Sequence, residues 1–155
     1  MRIFIMRHGE AELVARNDTQ RNLTAHGIKQ AKQQGVWLSE AASQIEKVMV
    51  SPYNRAQQTY QALADTTQTA LPNEIETWDA ITPYGNSHIV VDYLTTLWQD
   101  GVASVLLVSH LPFVEDLVTA LCGSAQQIGF STGTLVEIEW QGKDGEFICS
   151  SRPEV

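Results

Sequence analysis

The sequence predicts an α/β fold: a single three-layer domain with a mostly parallel central sheet, helices on both faces and no lid domain. Three observations predict it. Short apolar runs at Ile3–Met6, Lys47–Val50 and Val105–Ser109 have the character of strands buried on both faces. Amphipathic stretches of helical period alternate with them, the pattern of strand–helix–strand units. The 155 residues suffice for one sizeable core but not for a core plus a separate lid.

The elements follow in order. Arg2–Met6 is the first strand, an apolar run without helical period. Residues 8–23 form a long polar loop, of a length usually reserved for function. Thr24 can cap a helix running to about Ala41, with Ile28, Ala31 and Leu38 on one face. The second strand, Lys47–Val50, is broken by Ser51-Pro52. A helix over about 53–65 then carries Ala56, Thr59, Tyr60 and Leu63 at helical spacing. Glu74–Trp78 is a short strand and Pro83-Tyr84-Gly85-Asn86 a turn. Val90, Tyr93, Leu94 and Leu97 mark a third helix ending at Gly101. After the strand Val105–Ser109, Pro112 starts a helix that Gly123 stops. Leu135–Trp140 and Glu146–Cys149 form a hairpin that adds an antiparallel element.

Composition excludes several classes. No apolar run approaches a membrane span, and the apolar start of the chain is too short for a signal peptide. Two cysteines are too few for a disulfide scaffold, so a cytoplasmic protein is expected. A net charge of −8 argues against nucleic acid as a partner. The charge is unevenly distributed. Between Ala56 and Gly142 there is no Lys or Arg but ten of the 18 acids, so this segment carries −10 and the remainder +2. Arg7, Arg21 and Arg55 fall in or near the loops after the first two strands. A positive focus in a negative body attracts small anions and repels polyanions.

His8 and His110 end two of the buried-type strands, and ligands of α/β proteins bind at the carboxyl ends of strands. A neutral imidazole is a competent nucleophile toward phosphorus. It must be held in one tautomer by a partner on its other nitrogen. Arginine offers a fixed fork of donors matching phosphoryl oxygens. Because phosphoryl transfer is mostly positioning and charge stabilisation, a ring of Arg and His supplies most of the machinery. The alternatives lack their marks: there is no glycine-rich P-loop, no thiol-phosphatase loop around Cys122 or Cys149, and no histidine metal spacing. No cofactor and no metal are therefore expected. His26 is expected at the surface, and His88 either at the surface or at the pocket rim.

Four segments carry a family resemblance: Arg7-His8-Gly9-Glu10; Leu23-Thr24-Ala25-His26-Gly27-Ile28-Lys29-Gln30-Ala31; Ser51-Pro52-Tyr53-Asn54-Arg55-Ala56-Gln57-Gln58-Thr59; and Val108-Ser109-His110. In this order they resemble the histidine phosphatase superfamily, the phosphoglycerate mutase-like proteins. The short chain, Arg21 within the loop and Ser109-His110-Leu111-Pro112 are most similar to its phosphohistidine phosphatases. The resemblance implies one histidine phosphatase domain over residues 1–155 and a phosphohistidine intermediate on His8. It further implies phosphate contacts from Arg7, Arg55, His110 and Arg21, with Gly9 contributing backbone beside the nucleophile. The implied partner is a phosphohistidine-containing signalling protein of a histidine-kinase phosphorelay, with phosphate or other oxyanions in the pocket.

One departure bears on the substrate. Larger members carry a glutamate general acid where this chain has Ala80, next to Asp79. An alkoxide leaving group needs such a donor, worth about 10²–10⁴-fold. A phosphoramidate can leave as neutral imidazole once its distal nitrogen is protonated, so a missing acid fits an N–P substrate better. A small-molecule phosphomonoesterase is the enzyme alternative. A non-catalytic phosphoprotein-binding module is the other, although neither the nucleophile nor an arginine is lost here. A mutase would need the acid and enclosing segments that this chain lacks.

Overall fold

The computed structural model describes residues 1–123 and 128–155. In chain order it contains β1 (Arg2–Arg7), α1 (Ala25–Ala41), β2 (Lys47–Val50), α2 (Asn54–Thr66), β3 (Glu76–Thr77), α3 (Ser87–Gln99), β4 (Ser104–Ser109), α4 (Phe113–Cys122), β5 (Leu135–Glu139) and β6 (Glu146–Ser151), with 3-10 turns at Asp18–Gln20 and Asp79–Ile81. The strands form one sheet in the order β3-β2-β4-β1-β5-β6. β1 to β4 are mutually parallel, whereas β5 and β6 run antiparallel at one side.

Alternation along the strands explains the layers. Ile3, Ile5, Val105, Leu107 and Met49 face α3 and α4, where they meet Val90, Leu94, Val114, Leu117 and Val118. Phe4, Met6, Leu106, Val108 and Val48 face α1 and α2, where they meet Ala31, Leu38, Ala56 and Leu63. Because β1 and β4 are covered on both faces, Ile3–Met6 and Val105–Val108 are fully buried and their apolar runs are continuous. Thr24 caps α1 as its sequence position suggests, its Oγ1 accepting from the Gly27 amide at 3.0 Å.

The expected strand at 74–78 is shorter than its sequence suggests. Its pairing partner β2 ends at Val50, so only the Met49↔Glu76 and Val50↔Thr77 pairs form. The third helix stops at Gln99, short of Gly101, and the second hairpin strand runs on to Ser151. Among the described residues no helix is long and apolar enough to cross a membrane.

What this architecture does for the site is fix a spacing. β1 and β4 are hydrogen-bonded neighbours with Arg7 opposite Ser109, so the residues that follow, His8 and His110, leave the sheet side by side at its carboxyl edge.

Candidate active site

The β1 strand delivers Arg7 and His8. The His8 amide donates to the Ser109 carbonyl at 3.0 Å, continuing the ladder one step past the strand. The His8 ring is 6% exposed, and its Nδ1 lies 2.7 Å from the Gly9 carbonyl. A carbonyl can only accept, so Nδ1 carries the proton and Nε2 keeps its lone pair. Arg55 Nε–H points at that nitrogen from 3.3 Å. Burial, and then the charges of Arg55, Arg7 and Arg21, push the imidazole pKa down to about 4, against the lift from the Gly9 hydrogen bond. At neutral pH His8 is therefore uncharged, with the Nε2 lone pair facing the Arg55 Nε–H.

Gly9 and Gly27 explain how the loop after β1 sits so close to α1. A Cβ at Gly9 would stand 2.6 Å from the Gly27 carbonyl oxygen, and one at Gly27 would stand 2.1 Å from the Glu10 carbonyl oxygen. The Gly9 amide is given to Thr59 Oγ1 at 3.0 Å, so its contribution to the pocket is its carbonyl. Thr59 in turn donates to the Arg55 carbonyl one helical turn earlier, tying α2 to the same loop.

The β4 strand delivers His110, 1% exposed, with its ring centroid 5.1 Å from that of His8. Its Nε2 is 2.7 Å from Ser51 Oγ. That oxygen also accepts the Tyr53 amide at 3.3 Å, and its hydroxyl hydrogen can be donated to His110. In the tautomer that accepts this hydrogen at Nε2, the proton of the neutral ring sits on Nδ1. Nδ1 is buried without a protein partner, as is Arg7 Nε. Buried donors left unpaired are costly and mark a site for an acceptor. Burial first, then His8 and the three arginines, lowers the His110 pKa to about 2.

The arginines surround this pair. Arg7 is anchored by Nη1 on the Phe130 carbonyl at 2.9 Å, and burial together with Arg55 lowers its pKa. Arg55, on the first turn of α2, is 4% exposed and stacks over the Tyr53 ring at 4.9 Å. Tyr53 also meets His110 edge-on at 4.9 Å. Arg21 is held by the Glu12 carbonyl at 2.6 Å and by Asp18 at 3.0 Å, and its charge reaches both imidazoles. Arg7, Arg55 and His110 thus lie beside His8, and Arg21 is linked to them through the Asp18 carboxylate it shares with Arg55. Ser51, Tyr53, Thr59 and Asp18 join them without having been assigned a part. His88 is exposed on the first turn of α3 and forms no side-chain hydrogen bond to these groups.

Two neutral imidazoles with three guanidiniums nearby, at the carboxyl edge of a parallel sheet, define an α/β protein with a site suited to an anionic group. Residues 3–82 match the family profile described as histidine phosphatase superfamily (branch 1), and the chain belongs to that superfamily. It is 44% identical to the phosphohistidine phosphatase SixA homolog of Haemophilus influenzae, covering 96% of this chain and 93% of that protein. It is 40% identical to phosphohistidine phosphatase SixA of Escherichia coli, covering 89% and 84% respectively. A solved structure of the protein histidine phosphatase SixA complexed with tungstate superposes with a TM-score of 0.93 at 38% identity, over 99% of this chain and 97% of that one.

Proposed function

We propose that this chain is a protein phosphohistidine phosphatase: a hydrolase acting in the cytoplasm on a phosphohistidine domain of a signalling relay, with residues 1–155 as its single domain. The observation that carries the reading is His8 itself, with Nδ1–H anchored on the Gly9 carbonyl and Nε2 faced by Arg55. In the reaction, His8 Nε2 attacks phosphorus as the substrate N–P bond breaks, and the substrate imidazole leaves neutral, protonated on its distal nitrogen. Water then attacks the phospho-His8 phosphorus. The His8 N–P bond breaks, its electrons return to Nε2, and inorganic phosphate departs with the water's proton lost to phosphate or solvent. Arg7, Arg21, Arg55 and His110 Nδ1–H donate to the phosphoryl oxygens, whose charge they stabilise in the transition state.

The surroundings support an N–P rather than an O–P substrate. Ala80 lies on the 3-10 turn Asp79–Ile81, and Asp79 beside it is exposed. Asp18 is the carboxylate that hydrogen-bonds to the site's arginines. Burial pulls its pKa upward, but the hydrogen bonds from Arg21 and Arg55 outweigh this and hold it below the usual range. An ionised Asp18 has no proton to give an alkoxide.

The test compares a phosphohistidine protein, free phosphohistidine and p-nitrophenyl phosphate on one preparation, together with His8→Ala. The expected order of kcat/KM is protein, then free phosphohistidine, then phosphomonoester. His8→Ala should fold normally yet form no acid-labile phosphoenzyme. A phosphomonoester preferred over both phosphohistidine substrates would make this a small-molecule phosphatase instead.

A further inference from the structure

Asp18 brings a negative charge into a site built for anions. It opens the 3-10 turn in the loop between β1 and α1, with its side chain about half exposed. Its Oδ1 accepts from Arg21 Nη1 at 3.0 Å, and its Oδ2 accepts from Arg55 Nη2 at 3.2 Å. Its main-chain oxygen accepts from Arg55 Nη1 at 2.7 Å. One residue thus grips two of the three guanidiniums that border His8.

A carboxylate placed there either competes with the phosphoryl group or positions the arginines for it, and the edge of the guanidinium it uses decides between the two. Guanidinium presents five N–H bonds along two edges, an end formed by Nη1 and Nη2 and a side formed by Nε and Nη2. Asp18 occupies the end of Arg55 with its main-chain oxygen on Nη1 and its Oδ2 on Nη2. The side edge faces His8, where Nε–H meets the nucleophilic Nε2. A phosphoryl group bonded to Nε2 therefore meets the Nε–H and the second Nη2–H, which Asp18 leaves open. Arg21 is arranged similarly, with Nε on Glu12 and Nη1 on Asp18, and its Nη2 uncommitted among the described residues. The carboxylate also offsets the repulsion among three cations crowded around one pocket.

We propose that Asp18 is a positioning residue of the phosphoryl site, clamping the end of Arg55 and coupling it to Arg21 so that both present free N–H groups to the group on His8. For catalysis this rests on the function proposed above; for oxyanion binding it does not. Asp18→Asn keeps the shape and removes the charge, while Asp18→Ala removes both, and a half-exposed turn residue tolerates either. Tungstate titrated into the full-length protein by calorimetry gives the first readout. Both variants should bind it about tenfold more weakly than wild type, and in an Arg55→Ala background the same changes should cost less than about twofold, since coupled residues are non-additive. With a phosphohistidine protein, kcat should fall about tenfold or more, with KM moving less.

Unchanged or tighter tungstate binding in Asp18→Asn would overturn the proposal, because a competitor tightens binding when removed. A loss of equal size in the Arg55→Ala background would also overturn it, revealing a disrupted loop rather than a clamp. Wild type that binds tungstate but spares phosphohistidine would remove the proposed function and leave the binding comparison to decide on Asp18. Wild type that binds no tungstate would overturn both.

Discussion

Ser51 is the hydrogen-bond partner of the His110 ring among the described residues. We expect its hydroxyl to donate to Nε2 while accepting the Tyr53 amide, which keeps the proton of the neutral ring on Nδ1. Ser51→Ala removes that constraint and allows Nε2–H, which points away from the phosphoryl position. We expect the His110 side-chain ¹⁵N shifts to move from the Nδ1–H pattern toward a tautomer mixture, and kcat/KM to fall about 10²-fold, as for a lost transition-state donor. Unmoved shifts would place the proton by some other means. At this scale the sequence was partly legible. His8, His110, Arg7 and Arg55 stand out because they follow buried strands in a chain poor in basic residues. Ser51, Tyr53 and Asp18 do not, because their parts depend on which edge of a ring or guanidinium they meet, and no spacing in sequence encodes that.

At the scale of elements, the contact that matters most is between the His8 loop and the first turns of α1. Glycine interior to a helix ordinarily costs about 0.5–1 kcal/mol relative to alanine, and by that rule alone Gly27→Ala would stabilise the chain. The Glu10 carbonyl oxygen at 2.1 Å from the added Cβ reverses that sign. Overpacking of this kind costs about 1–3 kcal/mol. We expect Gly27→Ala to lower Tm by several degrees and, by displacing Gly9 and His8, to lower kcat/KM more than tenfold. A variant as active and stable as wild type would show that the loop relaxes freely. Strand and helix identities were readable from apolar runs and helical period, and the shortening of β3 was not. Its length is set by where β2 ends in space, at Val50 opposite Thr77.

At the scale of the whole molecule, the two buried imidazoles link folding to pH. Their folded pKa values, about 4 for His8 and about 2 for His110, lie below the ordinary value of 6.5. Below pH 6.5 the unfolded chain therefore takes up protons that the folded chain refuses, and stability falls with acid. For His8 the loss runs from about pH 6.5 to about 4 and then stops; for His110 it continues lower. At pH 5 the His8 contribution is about 2 kcal/mol. The fall in Tm between pH 7 and pH 5 should accordingly be about 4–8 °C larger in wild type than in His8→Asn. Equal falls in both proteins would mean that His8 gains a proton without unfolding.

The pairing of Arg7 with Ser109 also has a kinetic meaning. It joins the start of the chain to its fourth strand, the kind of parallel, long-range contact whose loop-closure cost makes it slow to form. Neither histidine meets the other until that ladder closes, whatever helices have already formed. The return of phosphatase turnover during refolding is thus a clock for the closing of β1 on β4, and a nascent chain that has not yet produced β4 is silent by construction.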